Sequence, residues 1–326
     1  MFEFTISQES PKAEVSGGLY DVVIIGGGAA GLTTAIYTSR DGLKTLILER
    51  EGTGGLAATT EMIENYPGFP DGINGMELLE RFRKQAERFG AEIVEFDEVV
   101  KVNPIKKGEI EVHTQNGEVY TGKTVVIATG SRPKKLNIPG ENEFYGRGVS
   151  YCATCDGPFF KDKNVVIIGA GNSGLQEGLQ VLEYAKHVTF LEFLPYTRAE
   201  QILQDRVKNH PKSTLLFNQQ VTAIKGEKSV TSVVAVDRET KEERLYPTDG
   251  VFIYVGYSPY SQFVAELVET NKWGYIVTDE KMRTKVAGLY AIGDVRADNP
   301  AQLSVSVGDG AKAALAIRDF ILELQA

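Results

Sequence analysis

The chain is poor in the residues that build metal centres and secreted scaffolds: two cysteines, three histidines and one tryptophan among 326 residues. A disulfide-stapled extracellular fold spreads several cysteines along its length, whereas Cys152 and Cys155 stand three apart with no others. A zinc site needs four ligands, and His113, His187 and His210 are all distant from the pair in sequence. No apolar run approaches the ~20 residues of a membrane span. The first 18 residues, MFEFTISQESPKAEVSGG, have no apolar centre and read as a polar lead-in, not a secretory signal. Positive charge is also short: 35 Lys+Arg against 44 Asp+Glu leave a net of −9, which argues against nucleic-acid binding. These absences predict a reducing, cytoplasmic setting without membrane association, and chemistry concentrated at one Cys-x-x-Cys.

What is present is apolar patterning sufficient for two domains, with 42% hydrophobic residues. Tyr20–Ile25 is an apolar strand opening into Gly26-Gly-Gly28-Ala29-Ala30-Gly31. Small and apolar residues then recur at helical spacing to Tyr37, and a second strand, Lys44–Leu48, ends in Glu49. The pattern repeats: strand Asn164–Ile168, Gly169-Ala-Gly171-Asn-Ser-Gly174, a helix to about Tyr184, and strand His187–Leu191 ending in Glu192. Further strands are expected at Thr124–Thr129, Gly250–Gly256 and Leu289–Ile292. A linker is expected at Arg132–Gly140 and a helix at Gly308–Leu324. The fold class predicted is α/β, with two Rossmann-like dinucleotide-binding domains, the second inserted into the first. The expected boundaries are 1–134 and 258–326 for the first domain and 135–257 for the second, which carries the Cys-x-x-Cys.

Each glycine of the first turn has a task. Gly26 makes the tight turn, Gly28 lets a pyrophosphate approach the backbone, and Gly31 lets helix and strand pack closely, with helix amides facing phosphate. Glu49, 18 residues after Gly31, is placed to accept from an adenosine ribose. Ala29, Ala30, Arg50, Gly55, Asn65, Thr129 and Gly130 complete the candidates around this nucleotide. A zinc reading of Cys152 and Cys155 lacks ligands, and a purely structural pair leaves the adjacent Asp156 unexplained. The spacing instead suits a disulfide that opens and closes locally: one thiolate attacks a partner disulfide and the second thiol resolves the mixed disulfide.

Several stretches carry a resemblance. Thr284-Lys-Val-Ala-Gly-Leu-Tyr-Ala-Ile-Gly293-Asp294 resembles the second FAD fingerprint of two-dinucleotide-domain flavoproteins, in which the aspartate meets the ribityl and phosphate region. Cys152-Ala-Thr-Cys155-Asp156-Gly lies nine residues before the second nucleotide fold. With Glu64-Asn65-Tyr66-Pro67-Gly68-Phe69, Gly146-Arg-Gly-Val-Ser150 and Gly293-Asp-Val-Arg296, it resembles the low-molecular-weight thioredoxin reductase family from about Asp21 to the end. The resemblance implies FAD, a homodimer, and reduction of a thioredoxin-like protein disulfide. It also implies a nucleotide domain that rotates between reducing the flavin and exposing the dithiol. By the same resemblance Cys155 faces the flavin, Cys152 is the interchange thiol and Asp156 handles the thiol proton. Gln302 meets the pyrimidine edge of the flavin. A ferredoxin–NADP reductase of the same fold generally lacks the Cys-x-x-Cys.

The second nucleotide fold departs from that family. NADPH-linked members carry a His-Arg-Arg run and a further arginine after the second strand, which recognise the 2′-phosphate. Here the sequence is Leu191-Glu192-Phe-Leu-Pro-Tyr196-Thr-Arg198, an acid where cations belong. Glu192 suits a free 2′-hydroxyl, and the chain resembles the branch lacking those arginines. Gly169, Gly171, Gly174 and Glu192 are thus read as a site for a nucleotide other than NADPH. Three readings stand side by side: NADH; a second FAD, on whose ring Tyr196, Tyr257 and Tyr260 could stack; or electrons from a protein such as ferredoxin. The family's Gly-Gly-Gln is Gly54-Gly55-Leu56-Ala57 here, and its Arg-Gln pair is Ala301-Gln302.

Overall fold

The computed structural model describes residues 19–326, and the polar lead-in lies outside the described residues. Along the chain run β1 (Leu19–Ile25), α1 (Ala29–Arg40), β2 (Thr45–Leu48), α2 (Gly75–Arg88), β3 (Glu92–Val94), β4 (Val99–Lys106), β5 (Glu109–Thr114) and β6 (Val119–Ile127). The middle comprises β7 (Ser131–Pro133), β8 (Val149–Ser150), α3 (Ala153–Asp156), β9 (Asn164–Ile168), α4 (Asn172–Tyr184), β10 (His187–Leu191), α5 (Gln201–Lys208) and β11 (Ser213–Leu216). Then follow β12 (Gln219–Gly226), β13 (Val230–Asp237), β14 (Glu243–Pro247), β15 (Gly250–Ile253), β16 (Tyr257–Pro259), β17 (Leu289–Ala291) and α6 (Leu303–Gln325). No described helix is long and apolar enough to cross a membrane.

The chain divides into two compact units. Unit 1 takes the segment ending at Ala57, Glu77–Gly130 and Pro259–Ala326; unit 2 takes Ala58–Met76 and Ser131–Ser258. In unit 1 a seven-stranded sheet runs β3-β2-β1-β6-β5-β4, with β17 also paired to β6. Strands β1, β2, β3, β6 and β17 pair in parallel, and β4–β5–β6 antiparallel. The buried apolar runs of β1, β2 and β6 form a core with Ile276, Leu289 and Val295 from the C-terminal stretch. Helix α1 contains Thr33, Thr34 and Thr38, residues that ordinarily weaken a helix interior. Their hydroxyls are satisfied by the carbonyls of Ala29, Ala30 and Thr34 at 2.7, 3.0 and 3.0 Å, so they can be buried.

Unit 2 has a five-stranded parallel sheet, β11-β10-β9-β15-β8, and a three-stranded antiparallel sheet, β12-β13-β14. Continuous apolar strands follow from covering both faces of a parallel sheet. Val165, Ile167, Phe190 and Phe252 point into a core with α3, α4 and α5, while Val166, Ile168, Leu191, Val251 and Ile253 point into a core with the antiparallel sheet. The parallel α/β class therefore holds, whereas the sequence reading did not register the β4–β5 and β12–β14 strands. It also set three limits differently. Strand β6 ends at Ile127 because the chain turns at Gly130 with φ +63°. Strand β15 ends at Ile253 because Tyr254 closes over the second glycine turn, where a Cβ on Gly169 would lie 2.2 Å from the Tyr254 carbonyl. The expected linker Arg132–Gly140 begins inside β7, which pairs with β16.

Helix α6 begins five residues before the expected Gly308, and it lies on α1 at close quarters. Gly310 makes this possible: a Cβ there would sit 2.5 Å from the Ala30 carbonyl, and Thr34 donates to the Gly310 carbonyl at 3.2 Å. Replacing Gly310 with Val is expected to cost about 1–3 kcal/mol, the usual range for overpacking, read as a lower Tm. An unchanged Tm would show that the α1–α6 contact is not tight.

Candidate nucleotide and disulfide sites

The two glycine turns are built alike. A Cβ on Gly26 (φ +110°) would lie 2.4 Å from the Ala128 carbonyl, and one on Gly31 would lie 2.0 Å from the Gly26 carbonyl. In unit 2, a Cβ on Gly174 would lie 2.1 Å from the Gly169 carbonyl. The middle glycines are different, for at Gly28 and Gly171 a Cβ would meet nothing within 4 Å. First and third glycines are thus demanded by the protein itself, and the middle ones leave room facing outward from a helix N-terminus, the place for a pyrophosphate. Ala29 and Ala30 open α1 and are buried.

The acids repeat the match. Glu49 Oε2 accepts from the Gly27 amide at 2.7 Å and its Oε1 from the Glu51 amide at 2.9 Å. Glu192 Oε2 accepts from the Ala170 amide at 2.7 Å and its Oε1 from the Leu194 amide at 2.9 Å. Each carboxylate is fixed at a strand end beside its glycine turn, with lone pairs left for a ribose.

Around the first turn, the Gly54 amide donates to the Gly27 carbonyl at 2.9 Å, and a Cβ on Gly55 would lie 3.3 Å from Gly28 Cα. Thr129 donates to the Tyr260 carbonyl at 2.6 Å, and the Tyr260 amide donates to the Gly130 carbonyl at 3.1 Å. Arg50 lies over the Tyr260 ring at 5.0 Å. Asp294 sits in a short 3-10 turn, where burial raises its carboxyl above the ordinary range while Ser306, donating at 3.1 Å, pulls the other way. Gln302 occupies the N-cap position of α6. Asn65 falls in Ala58–Met76, within unit 2.

Asp309 was not singled out by sequence, and Arg296 was named there only as the end of Gly293-Asp-Val-Arg296, without a role of its own. Asp309 is buried on α6 and accepts from the Gly293 amide (3.2 Å), Arg296 Nε (3.1 Å) and Asn299 Nδ2 (3.0 Å), tying the Gly293–Asp294 turn to the helix.

Cys152 and Cys155 form a disulfide with Cα atoms 5.3 Å apart. Cys152 is the N-cap of α3, and the Cys155 amide donates to Cys152 Sγ at 3.2 Å. The Cys152 amide donates to Ser150 Oγ at 3.0 Å. Ala153 is fully buried, Cys152 half-buried and Cys155 exposed. Asp156 closes the same short helix. Tyr151 donates to Glu141 at 2.7 Å, and burial together with that carboxylate pushes its phenol well above the ordinary range.

At the second fold, Arg198 lies with Tyr196, 5.9 Å over its ring. A second cation, missed by sequence because it lies 45 residues on, stands nearby: Arg238 stacks 3.8 Å over the Phe193 ring and donates to the Phe193 carbonyl. Tyr260 belongs to unit 1.

Two dinucleotide folds with a Cys-x-x-Cys on the second define a flavoprotein disulfide oxidoreductase. The profile of the pyridine nucleotide-disulphide oxidoreductases matches residues 20–310. Thioredoxin reductase of Bacillus subtilis is 43% identical over 308 residues, 94% of this chain and 96% of that protein. Among solved structures, Lactococcus lactis thioredoxin reductase in its FR conformation is similar at TM-score 0.90 and 39% identity, covering 93% of this chain and 99% of its own. The T. acidophilum thioredoxin reductase is similar at TM-score 0.89 and 43% identity, with the same coverage. The chain belongs to the thioredoxin reductase family of the pyridine nucleotide-disulphide oxidoreductases.

Replacing Arg296 with Met leaves the buried Asp309 carboxylate without its cation. The expected loss is about 3–5 kcal/mol, as for other broken buried pairs, seen as a lower urea midpoint at unchanged slope. A loss under ~1 kcal/mol would mean the pair behaves as a surface ion pair.

Proposed function

We propose that the protein reduces the disulfide of a thioredoxin-like protein through Cys152 and Cys155. FAD is held in unit 1, and the electron donor carries no 2′-phosphate. The observation that carries the first part is the Cys155 amide directed at Cys152 Sγ. An amide donor stabilises a thiolate, so once the pair is reduced Cys152 is the sulfur favoured to carry the charge. Cys152 Sγ⁻ attacks the partner disulfide, forming a mixed disulfide and expelling one partner thiolate. Cys155 then attacks Cys152 Sγ, restoring the intramolecular disulfide and expelling the second partner thiolate. Asp156, beside the pair, passes the proton that Cys155 loses to the leaving sulfur.

The open face at Gly28, the fixed Glu49 carboxylate, and Asp294 in its short turn, held by Ser306 of α6, fit a dinucleotide in unit 1. Gly26, Gly31, Arg50, Gly55, Thr129, Gly130 and Gln302 complete the set within unit 1. When bound, FAD supplies the two-electron relay between donor and disulfide. In unit 2, Gly169, Gly171, Gly174 and Glu192 reproduce the unit 1 arrangement, including both carboxylate hydrogen bonds. A carboxylate so placed repels a 2′-phosphate and accepts from a 2′-hydroxyl. NADH satisfies this.

The identity of the two cages also favours a second reading. A second FAD, or a ferredoxin-type protein donor, would make the chain an electron-transfer flavoprotein without pyridine-nucleotide turnover. A homodimer and a cytoplasmic setting follow from the family resemblance.

Flavin released by denaturation and counted per chain, with anaerobic NADH and NADPH titrations, separates the readings. One FAD per chain with bleaching by NADH at least about tenfold tighter than by NADPH, roughly 1.4 kcal/mol, supports the NADH form, and Glu192→Gln narrows that gap. Two FAD per chain and no bleaching by either nucleotide sink it in favour of the second flavin. Cys152→Ser is expected to abolish reduction of thioredoxin while leaving flavin bleaching intact. Retained reduction would remove Cys152 from its role.

A further inference from the structure

The residues that lead into Cys152 are held from behind by a carboxylate with no part in the chemistry above. Glu141 is fully buried. Its Oε1 accepts from the Leu136 amide at 2.8 Å and from the Tyr151 hydroxyl at 2.7 Å, and its Oε2 accepts from the Asn137 amide at 2.6 Å. Such donors are what make a buried carboxylate tolerable, and all three belong to unit 2. Glu141 is itself grounded on β12. The Ile224 amide donates to the Pro139 carbonyl at 2.9 Å, and a Cβ on Gly140 would lie 1.9 Å from the Ile224 carbonyl, so the backbone just before Glu141 lies against that strand. Either side of Tyr151 the bonds continue. Ser150 is buried, and its Oγ accepts from the Cys152 amide at 3.0 Å and donates to the Cys152 carbonyl at 3.3 Å. A continuous path therefore runs from β12 through Glu141 and Tyr151 to the backbone of Cys152, the N-cap of α3.

We propose that Glu141 and Tyr151 are positioning residues for the cysteine pair: they keep Cys152 in its N-cap place after the disulfide opens, so that Cys155 stays at high effective concentration against it. The proposal rests on the reading of Cys152 and Cys155 as the exchanging pair. Reduction by a dithiol transfers two electrons and two protons, breaks the Sγ–Sγ bond, and leaves two protein thiols and the reagent's own disulfide. Once that bond is gone, only the short stretch Ala153–Thr154 still links the two cysteines. The buried Ala153 on one side, and the anchored Tyr151 on the other, then limit how far Cys152 strays. A pair so fixed recloses readily, on itself or on a mixed disulfide, because its freedom was already lost on folding. Loosened, the same two thiols favour the disulfide less, and their potential rises. The carboxylate is needed as such. Glutamine has one acceptor oxygen and an NH2 group that donates, so at position 141 it sets a donor against the amide of Leu136 or of Asn137 in either orientation.

The test is the potential of the cysteine pair. FAD-loaded protein is equilibrated with dithiothreitol and its oxidised form, thiols are alkylated, and the reduced fraction is counted by mass, which reads the cysteines and not the flavin. Tyr151→Phe keeps the ring and removes the donor to Glu141. It is expected to shift the equilibrium about three- to tenfold towards the dithiol, a rise of about 15–30 mV at roughly 30 mV per tenfold for a two-electron couple. Glu141→Gln is expected to shift it at least as far. Val207→Ala is the control: Val207 lies in the other core of unit 2 from the one Tyr151 packs on, and its truncation lowers the Tm without moving the potential. Potentials of Tyr151→Phe and Glu141→Gln at or below that of the wild type overturn the proposal, as does an equal rise in Val207→Ala, the mark of general loosening. Should Glu141→Gln fail to fold, Tyr151→Phe decides alone. A wild-type pair that dithiothreitol leaves oxidised at every ratio removes the exchange reading itself, and the proposal with it, a result distinct from matching potentials.

Discussion

Both nucleotide folds hang on one close approach, the third glycine of each turn against the carbonyl of the first. Gly31 meets the Gly26 carbonyl and Gly174 meets the Gly169 carbonyl at distances no Cβ could share. This contact fixes each helix against its first strand, and with it the direction in which the helix amides point. The first-turn amides then have a free face at Gly28 and Gly171, and the strand-end acids find backbone donors within 2.7 Å. Sterics, dipole and carboxylate are therefore consequences of a single backbone constraint, imposed twice.

Much of this was legible because it is local. A strand, three glycines and an acid fall within about thirty residues in each fold, and the Cys-x-x-Cys with its Asp needs no long-range information. What stayed hidden depends on residues brought together from far apart. Asp309 gains its role from Gly293 and Arg296 across a turn, and Arg238 reaches Phe193 from a different sheet. Strand β5 alternates cleanly but is only six residues long, while β4 and β12 alternate poorly, with irregular pairing at Val99/Lys101 and Val221/Ala223. A period-two signal is blurred by such bulges.

The two folds use one architecture for different ends. In unit 1 the C-terminal stretch closes over the glycine turn: β17 pairs with β6, the Gly293 turn is tied to Asp309, and α6 lies on α1. In unit 2 the corresponding region is occupied by Tyr254 and by the short cysteine-bearing helix, both part of its apolar core. The disulfide thus rests on packed side chains and not on a free loop, as pre-organised exchange chemistry requires.

The discontinuity of unit 1 has a consequence for synthesis on the ribosome. Its first strand is made at the beginning of the chain, whereas β17 and α6, which complete its sheet and cover α1, come from the last forty residues or so. Unit 2 is finished at Ser258. A vectorially growing chain therefore completes the inserted body first, and the enclosing body waits, with the α1 surface around Ala30 and Thr34 uncovered, until α6 emerges. Truncation near the C-terminus accordingly strikes the N-terminal nucleotide fold, the part of the molecule most remote from it in sequence.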